Sequence, residues 1–318
     1  MPEAAPTVVV AIGGNALSPS GESASVANQF RHTRKSLEVI VPLALEGRGI
    51  AIVHGNGPQV GDALVRNEAA RELVDPLPLG VLVAGTAGWI GYMIQQSLEN
   101  ALARYGCERR VVTLISQVRV AADDPALRKP TKFVGRALNE GTAGVLRAAG
   151  VRVEEDGHGN LRRLVPSPRP VEIIESRMVA DLVARGSIVI AAGGGGIPVY
   201  RDERLGLEGV DAVVDKDRAA AILGVSIGAA ELLILTDVDG VYTGWGTAAA
   251  ARIDRLPVSA ARKLLAGPEL EGAGGSMRPK VEAAMEFVAA GGRRAVIAAL
   301  EDGPEAVAGN AGTEIVND

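Results

Sequence analysis

Val8-Val9-Val10-Ala11-Ile12 runs into Gly13-Gly14-Asn15-Ala16, and Ile50-Ala51-Ile52-Val53 runs into His54-Gly55-Asn56-Gly57-Pro58-Gln59-Val60-Gly61. Each is an apolar run that ends in a glycine turn carrying a Gly-Asn pair. A short, uninterrupted apolar run is the pattern of a strand buried on both faces of a parallel sheet. Glycines just past its end let the chain turn sharply and bring bare N–H groups close to an anion. One such turn is ordinary. Two with the same pair point to a site that holds phosphate beside a second small anion.

Four further apolar runs read as strands, Val111–Ile115, Ile188–Ala192, Leu232–Thr236 and Ala295–Ala299, beside Thr7–Ile12 and Ile50–Val53. Helical patterns lie between them. Val26, Phe30, Leu37 and Ile40 recur near helical spacing, with Pro42 expected to end or kink the segment. Asp217–Leu223 and Lys280–Ala290 read as further helices. Alternating strands and helices give an α/β fold, a mostly parallel sheet covered on both faces, with ligands at the carboxyl ends of the strands. The charged, proline-rich stretch from about 121 to 170 breaks this rhythm. Asp156-Gly157-His158-Gly159-Asn160 within it reads as a hairpin turn, so the stretch is expected to project over the sheet edge as a small lid.

Composition narrows the function. The 318 residues are 47% hydrophobic and carry 40 glycines, which sit at strand ends rather than in a repeat. A net charge of −5 gives no basic face for nucleic acid, so an anionic substrate needs a few local lysines. Cys107 is the single cysteine, which fits a reducing, cytoplasmic setting, and the three histidines lie at no metal-ligand spacing. The stretch from Pro76 to Leu98 carries no charge, but its prolines, glycines and glutamines make it a poor membrane span. It reads as a loop leading into a buried helix from about Gly88 to Arg104.

Neither glycine turn ends in the Lys-Ser/Thr of a P-loop, and Gly55-Asn56-Gly57 to Gly61 is one residue too long for a dinucleotide fingerprint. A third glycine loop, Gly193-Gly194-Gly195-Gly196, is stopped abruptly by Ile197-Pro198, as close backbone approach to a ligand would require. Val214-Asp215-Lys216-Asp217 enters a helix with Asp217 expected near its N-cap and Lys216 just before it. Ser276-Met277-Arg278-Pro279-Lys280 places a second lysine in a first turn, with Ser276 and Pro279 opening the helix. Lysine is uncomfortable there because the helix start is partly positive; two such lysines want an anion. Asp237 and Asp239 follow the fifth strand and are expected first to bond their own turn. His54 reads as a hydrogen-bonded strand end rather than a catalytic base.

As a set these motifs, together with Ile90-Gly91-Tyr92, Pro130-Thr131-Lys132 and Pro166-Ser167-Pro168, resemble the carbamate kinases of the amino acid kinase family nearly end to end. The resemblance implies a three-layer αβα sandwich and a homodimer. Its first half, to about residue 206, binds the acceptor and carries the lid; its second half, about 207–318, binds nucleotide. It implies reversible phosphoryl transfer between ATP and carbamate, with Mg²⁺ held by the nucleotide phosphates and no protein-held metal. By the same analogy Lys132, Lys216 and Lys280 surround the phosphoryl group and Asp217 orients the lysines. Gly13, Gly14, Asn15, Gly55, Asn56 and Gly57 hold carbamate and the transferring group. Gly194, Gly195, Thr236, Asp237, Val238, Tyr242 and Met277 line the nucleotide side. The first strand lacks the lysine of several relatives, and Lys132 from the lid fills that role; Ala87 stands where many carbamate kinases carry glutamine. The alternatives are another family phosphotransferase, acting on a carboxylate or a nucleoside monophosphate, and a non-catalytic nucleotide or carbamoyl phosphate sensor.

Overall fold

The computed structural model describes residues 5–19, 22–157, 159–268, 270 and 277–318. Its main sheet has eight strands in the order Arg255–Pro257, Thr313–Val316, Arg294–Ala299, Glu231–Thr236, Val8–Ile12, Ile50–His54, Ile188–Ile190 and Val111–Thr113. All six expected strands are in it, and from Arg294–Ala299 to Val111–Thr113 every neighbouring pair is parallel. The two strands the sequence reading missed form the far edge. Thr313–Val316 runs antiparallel to Arg294–Ala299, and Arg255–Pro257 lies parallel to Thr313–Val316. Both are too short and too mixed in polarity to stand out as apolar runs.

Side chains alternate across this sheet, as the pleat requires. Val9, Ala11, Ala51 and Val53 join a core under the helices Ser176–Ala184, Lys216–Ser226 and Met277–Ala289. Val8, Val10, Ile12, Ile50 and Ile52 join a second core, under Ile40–Leu45, Leu79–Ala103 and Gly303–Ala308. Both faces are therefore apolar along one strand, which is why these strands read as unbroken hydrophobic runs and why the fold has three layers.

Helix boundaries differ from the sequence reading. The segment after Ser25 breaks at Leu37–Val39 into Val26–Ser36 and Ile40–Leu45, and Pro42 sits in the first turn of the second helix. Its missing N–H is no loss there, and the break falls around Glu38, whose carbonyl a continuous helix would have aimed at Pro42, so the expected interruption is present, a turn upstream of the proline. The long buried helix begins at Leu79, directly after Pro78, rather than near Gly88, and runs 25 residues to Ala103. Its glycines are tolerated because tertiary packing outweighs helix propensity. Among the described residues no helix is long and apolar enough to cross a membrane.

The insert is a distinct layer. Gln117–Val120 and Pro170–Ile173 pair antiparallel, so the chain leaves and returns side by side. They join the hairpin Ile197–Asp202 and Gly206–Gly209 in a second sheet. Beyond them, Lys132–Leu138, Leu161–Val165 and Val153–Glu155 form a three-stranded sheet backed by the helix Glu140–Ala148. The hairpin expected around Asp156 joins the last two strands, with Asp156 N–H donating to Asn160 O; His158 lies outside the described residues.

Candidate active site

The two Gly-Asn turns meet. Register pairs Ile12 with His54, so both turns leave the sheet at one level. Gly55 N–H donates to Ile12 O. A Cβ on Gly55 would lie 2.8 Å from Gly14 N, and one on Gly14 would lie 3.5 Å from Gly57 N and 3.7 Å from Asn56 N. Glycine is needed because one backbone lies directly on the other. Each turn starts a helix, Gly14–Leu17 and Gly57–Ala69, and neither has a side-chain cap. At the second, the N-cap is Asn56, a residue type well suited to capping. Its Nδ2 instead donates to Thr86 Oγ1 at 2.9 Å, and Thr86 is fixed in turn to Leu82 O and Val83 O. With the cap turned aside, the helix start offers its N–H groups to an outside anion. Asn15 lies in the first short helix.

His54 is fully buried behind this nest. Its Nδ1 lies 3.0 Å from Gly55 O, and burial pulls its pKa down to about 4. It is a neutral strut, as the sequence suggested. The third glycine loop fills the gap beside it. Gly194 lies against the Asn56 amide, and Gly195 against Val214 O. Its entry residue, Ala192, has φ 49°, held by a 3.0 Å hydrogen bond from its N–H to Ser116 Oγ. Ala87 is buried, and its Cβ faces Gly193.

The lysines converge from three directions. Lys216 is the first residue of the helix Lys216–Ser226, and its Cδ would lie 3.2 Å from a Cβ on Gly55. Lys280 lies four residues into Met277–Ala289; Ser276, expected to open that helix, lies outside the described residues. Lys132 is the first residue of the lid strand. Asp217 accepts from both Lys216 and Lys280, the latter at 3.3 Å, while Asp215 takes Lys132 at 2.6 Å. The helix cap is Asp215 rather than Asp217, because Asp215 Oδ1 accepts from the N–H groups of Asp217 and Arg218. One carboxylate therefore caps a helix and holds the lid lysine, a double role that the flanking Asp217 obscured in the sequence.

The three ammoniums pair with two buried carboxylates, Asp215 and Asp217, and Lys280 also feels Asp237. Burial alone would raise both aspartates, but Lys132 for Asp215, and Lys216 for Asp217, override it and hold them below the usual carboxylate range. Burial lowers Lys216 and outweighs the support of Asp217. At Lys280 the carboxylates of Asp217, Asp215 and Asp237 outweigh burial and raise it. The cluster brings three lysines to one place, two of them largely buried, which is what a phosphoryl group in transit requires.

Thr236 ends the strand Glu231–Thr236 and Asp237 follows it, with Thr236 Oγ1 donating to Asp237 at 3.0 Å. Asp239 bonds Tyr242 Oη and Arg252, so it serves its own turn. Tyr242 stacks edge-on against Trp245, Met277 is buried, and Val238 packs partly into the core. Among the described residues no group of acids, histidines and cysteine stands close enough to hold a metal ion by itself.

This fold and this cluster of lysines on glycine nests define a phosphate-handling α/β protein. The chain belongs to the amino acid kinase family, whose model matches residues 6–299. Relatives of 40–44% identity over nearly the whole chain include several carbamate kinases. The carbamate kinase of Pyrococcus furiosus is 42% identical over 312 residues, covering 97% of this chain and 98% of the relative. The structure of Giardia lamblia carbamate kinase bound to citric acid superposes with a TM-score of 0.93 at 35% identity, covering 99% of each chain. The AMP-PNP complex of the same enzyme gives 0.89 at 35% identity and the same coverage.

Proposed function

We propose that this protein is a carbamate kinase that interconverts ATP plus carbamate with ADP plus carbamoyl phosphate. The observation that carries the reading is the meeting of the Lys132, Lys216 and Lys280 ammoniums beside two uncapped glycine turns. Carbamate is already an oxyanion, so its attack on phosphorus needs no general base, which agrees with a neutral, buried His54. In the forward direction a carbamate oxygen bonds to the γ-phosphorus as the bond to the β,γ-bridging oxygen breaks, and ADP leaves with that electron pair. In-line displacement of this kind is catalysed by position and charge.

In our reading the N–H groups of Gly13, Gly14 and Asn15 and of Gly55, Asn56 and Gly57 hold carbamate and the moving phosphoryl group. Lys216 and Lys280 neutralise its equatorial oxygens, with Asp217 fixing both ammoniums. Lys132 exchanges Asp215 for the phosphoryl group as substrate enters. Thr236, Asp237, Val238, Tyr242 and Met277 wall the nucleotide on the half from about residue 207. Gly194 and Gly195, covered by Asn56 and Val214, are better read as the floor joining the nest to the Lys216 helix than as direct nucleotide contacts. Magnesium would enter on the nucleotide phosphates and would supply charge neutralisation there. We also propose a cytoplasmic homodimer. The single cysteine supports the setting, and the exposed apolar side chains of Leu73, Val74, Leu77 and Val81 support the assembly.

An acceptor panel tests the substrate. Carbamate should be phosphorylated from ATP, while acetate, glutamate and nucleoside monophosphates should not. Phosphorylation of any of these in preference to carbamate would contradict the assignment.

A further inference from the structure

The lid is fastened much more firmly to the acceptor side than its single lysine suggests. Its strand Lys132–Leu138 lies along the helix Gly57–Ala69, whose N-terminus is half of the anion nest. Between them Gly61 and Gly135 touch backbone to backbone, with no room for a Cβ on Gly61. Gly135 has φ +79°, and the pairing of the strand with Leu161–Val165 is irregular between Val134 and Leu138. The strand therefore kinks just before Arg136, and Arg162 holds the kink by donating to Gly135 O at 2.9 Å.

Arg136 then reaches two partners. Its Nη2 donates to Ser18 Oγ at 3.0 Å, and its Nε lies 3.7 Å from Asp62 Oδ1. Ser18 immediately follows the helix Gly14–Leu17, and its N–H bonds to Gly14 O at 3.0 Å. Asp62 belongs to the helix of the second nest. One guanidinium thus joins the lid to both helices that the Gly-Asn turns start, four residues along the same strand from Lys132. Arg163 to Glu68 is a second tie to the same helix, but it reaches neither turn.

We propose that Arg136 is a positioning residue for phosphoryl transfer: it latches the lid strand to the helices of the two acceptor turns and so sets where Lys132 stands. The inference rests on the phosphotransferase reading above. Arg136 bonds the acceptor side, whereas the lid's ties to the nucleotide half, Lys132 to Asp215 and Arg169 to Glu282 and Glu286, do not pass through it. Acceptor affinity and turnover should therefore respond to its loss, and nucleotide affinity should not.

The test uses Arg136→Ala, Arg136→Lys, Lys132→Ala and the double variant Arg136→Ala/Lys132→Ala in the full chain. Kinetics are measured in the ATP-forming direction, and amide hydrogen exchange is followed over residues 132–138. Losing a charged hydrogen bond and a half-exposed ion pair should lower kcat about tenfold and raise KM for carbamoyl phosphate. KM for ADP should be unchanged, exchange across 132–138 should quicken, and Arg136→Lys should recover part of kcat. In the Lys132→Ala background the same Arg136 change should cost less than about twofold, because its effect passes through Lys132. Multiplying losses in the double variant, an unchanged kcat in Arg136→Ala, or unaltered exchange would each overturn the proposal. If the wild-type protein makes no ATP, the functional reading fails, while the exchange measurement still decides the latch.

Discussion

Replacing Asp217 by asparagine removes the one carboxylate that two buried ammoniums share. The Lys280 ammonium stands 3.3 Å from it, and the Lys216 ammonium bonds the other oxygen. At an effective dielectric of about 20, a unit pair at that separation attracts by about 5 kcal/mol. Breaking a buried pair by removing one partner costs about 3–5 kcal/mol, since the remaining charge is stranded. With an unfolding entropy of about 2 cal/mol/K per residue over 318 residues, Tm should fall by about 4–8 °C at pH 7. The pH dependence gives a second handle. Burial already holds Lys216 below the ordinary lysine value of 10.5, and losing Asp217 lowers it further. Between its lowered folded pKa and 10.5 the unfolded chain binds more protons, so stability rises with pH across that window. The deficit of Asp217→Asn should therefore shrink as pH climbs toward 10, while kcat, measured well below the shifted Tm, falls at least about 10²-fold. Calorimetry at several pH values checks this. A Tm within 1 °C of wild type at pH 7, or a deficit that grows with pH, would refute the shared-carboxylate account.

Lys132→Ala should lower kcat by about 10²–10³-fold with nucleotide affinity nearly intact, whereas Lys129→Ala should be nearly silent in the same steady-state assay. Lys280→Ala relieves repulsion on Lys216 and leaves Asp217 paired, so thermal unfolding should shift little while activity collapses; parallel losses would make Lys280 structural. Gly61→Ala forces a Cβ into Gly135 and should dislodge the lid, raising KM for carbamoyl phosphate with little loss of Tm. His54, neutral down to about pH 4 in the fold against 6.5 unfolded, contributes stability that is lost as pH falls through that window, up to about 3 kcal/mol. His54→Gln should lose less than wild type in acid denaturation between pH 6.5 and 4.

The parallel core was legible because strands buried on both faces must be apolar throughout, and Val8–Ile12 and Ile50–Val53 carry that mark. The strands Arg255–Pro257 and Thr313–Val316 were not, since three or four residues cannot display a period and a threonine, a glutamate, an arginine and a proline interrupt their apolar side chains. The two nests and the three lysines could be read as types at positions: a glycine where chains cross, a lysine where a helix start repels it. What could not be read is which acid holds which lysine. Asp215 and Asp217 flank Lys216 symmetrically in sequence, and only the turn of the helix gives one to the lid and the other to the pair beneath. Arg136 escaped for the same reason, because its partners Ser18 and Asp62 are set by a kink at Gly135 that no periodicity reveals.

The most direct test of the central claim is ATP formation from ADP and carbamoyl phosphate by the purified protein with Mg²⁺, read through a coupled enzyme. The account predicts sustained ATP production that requires all three components and disappears in Lys132→Ala and Lys280→Ala. Binding of carbamoyl phosphate without any ATP, or ATP formation that survives loss of both lysines, would contradict it.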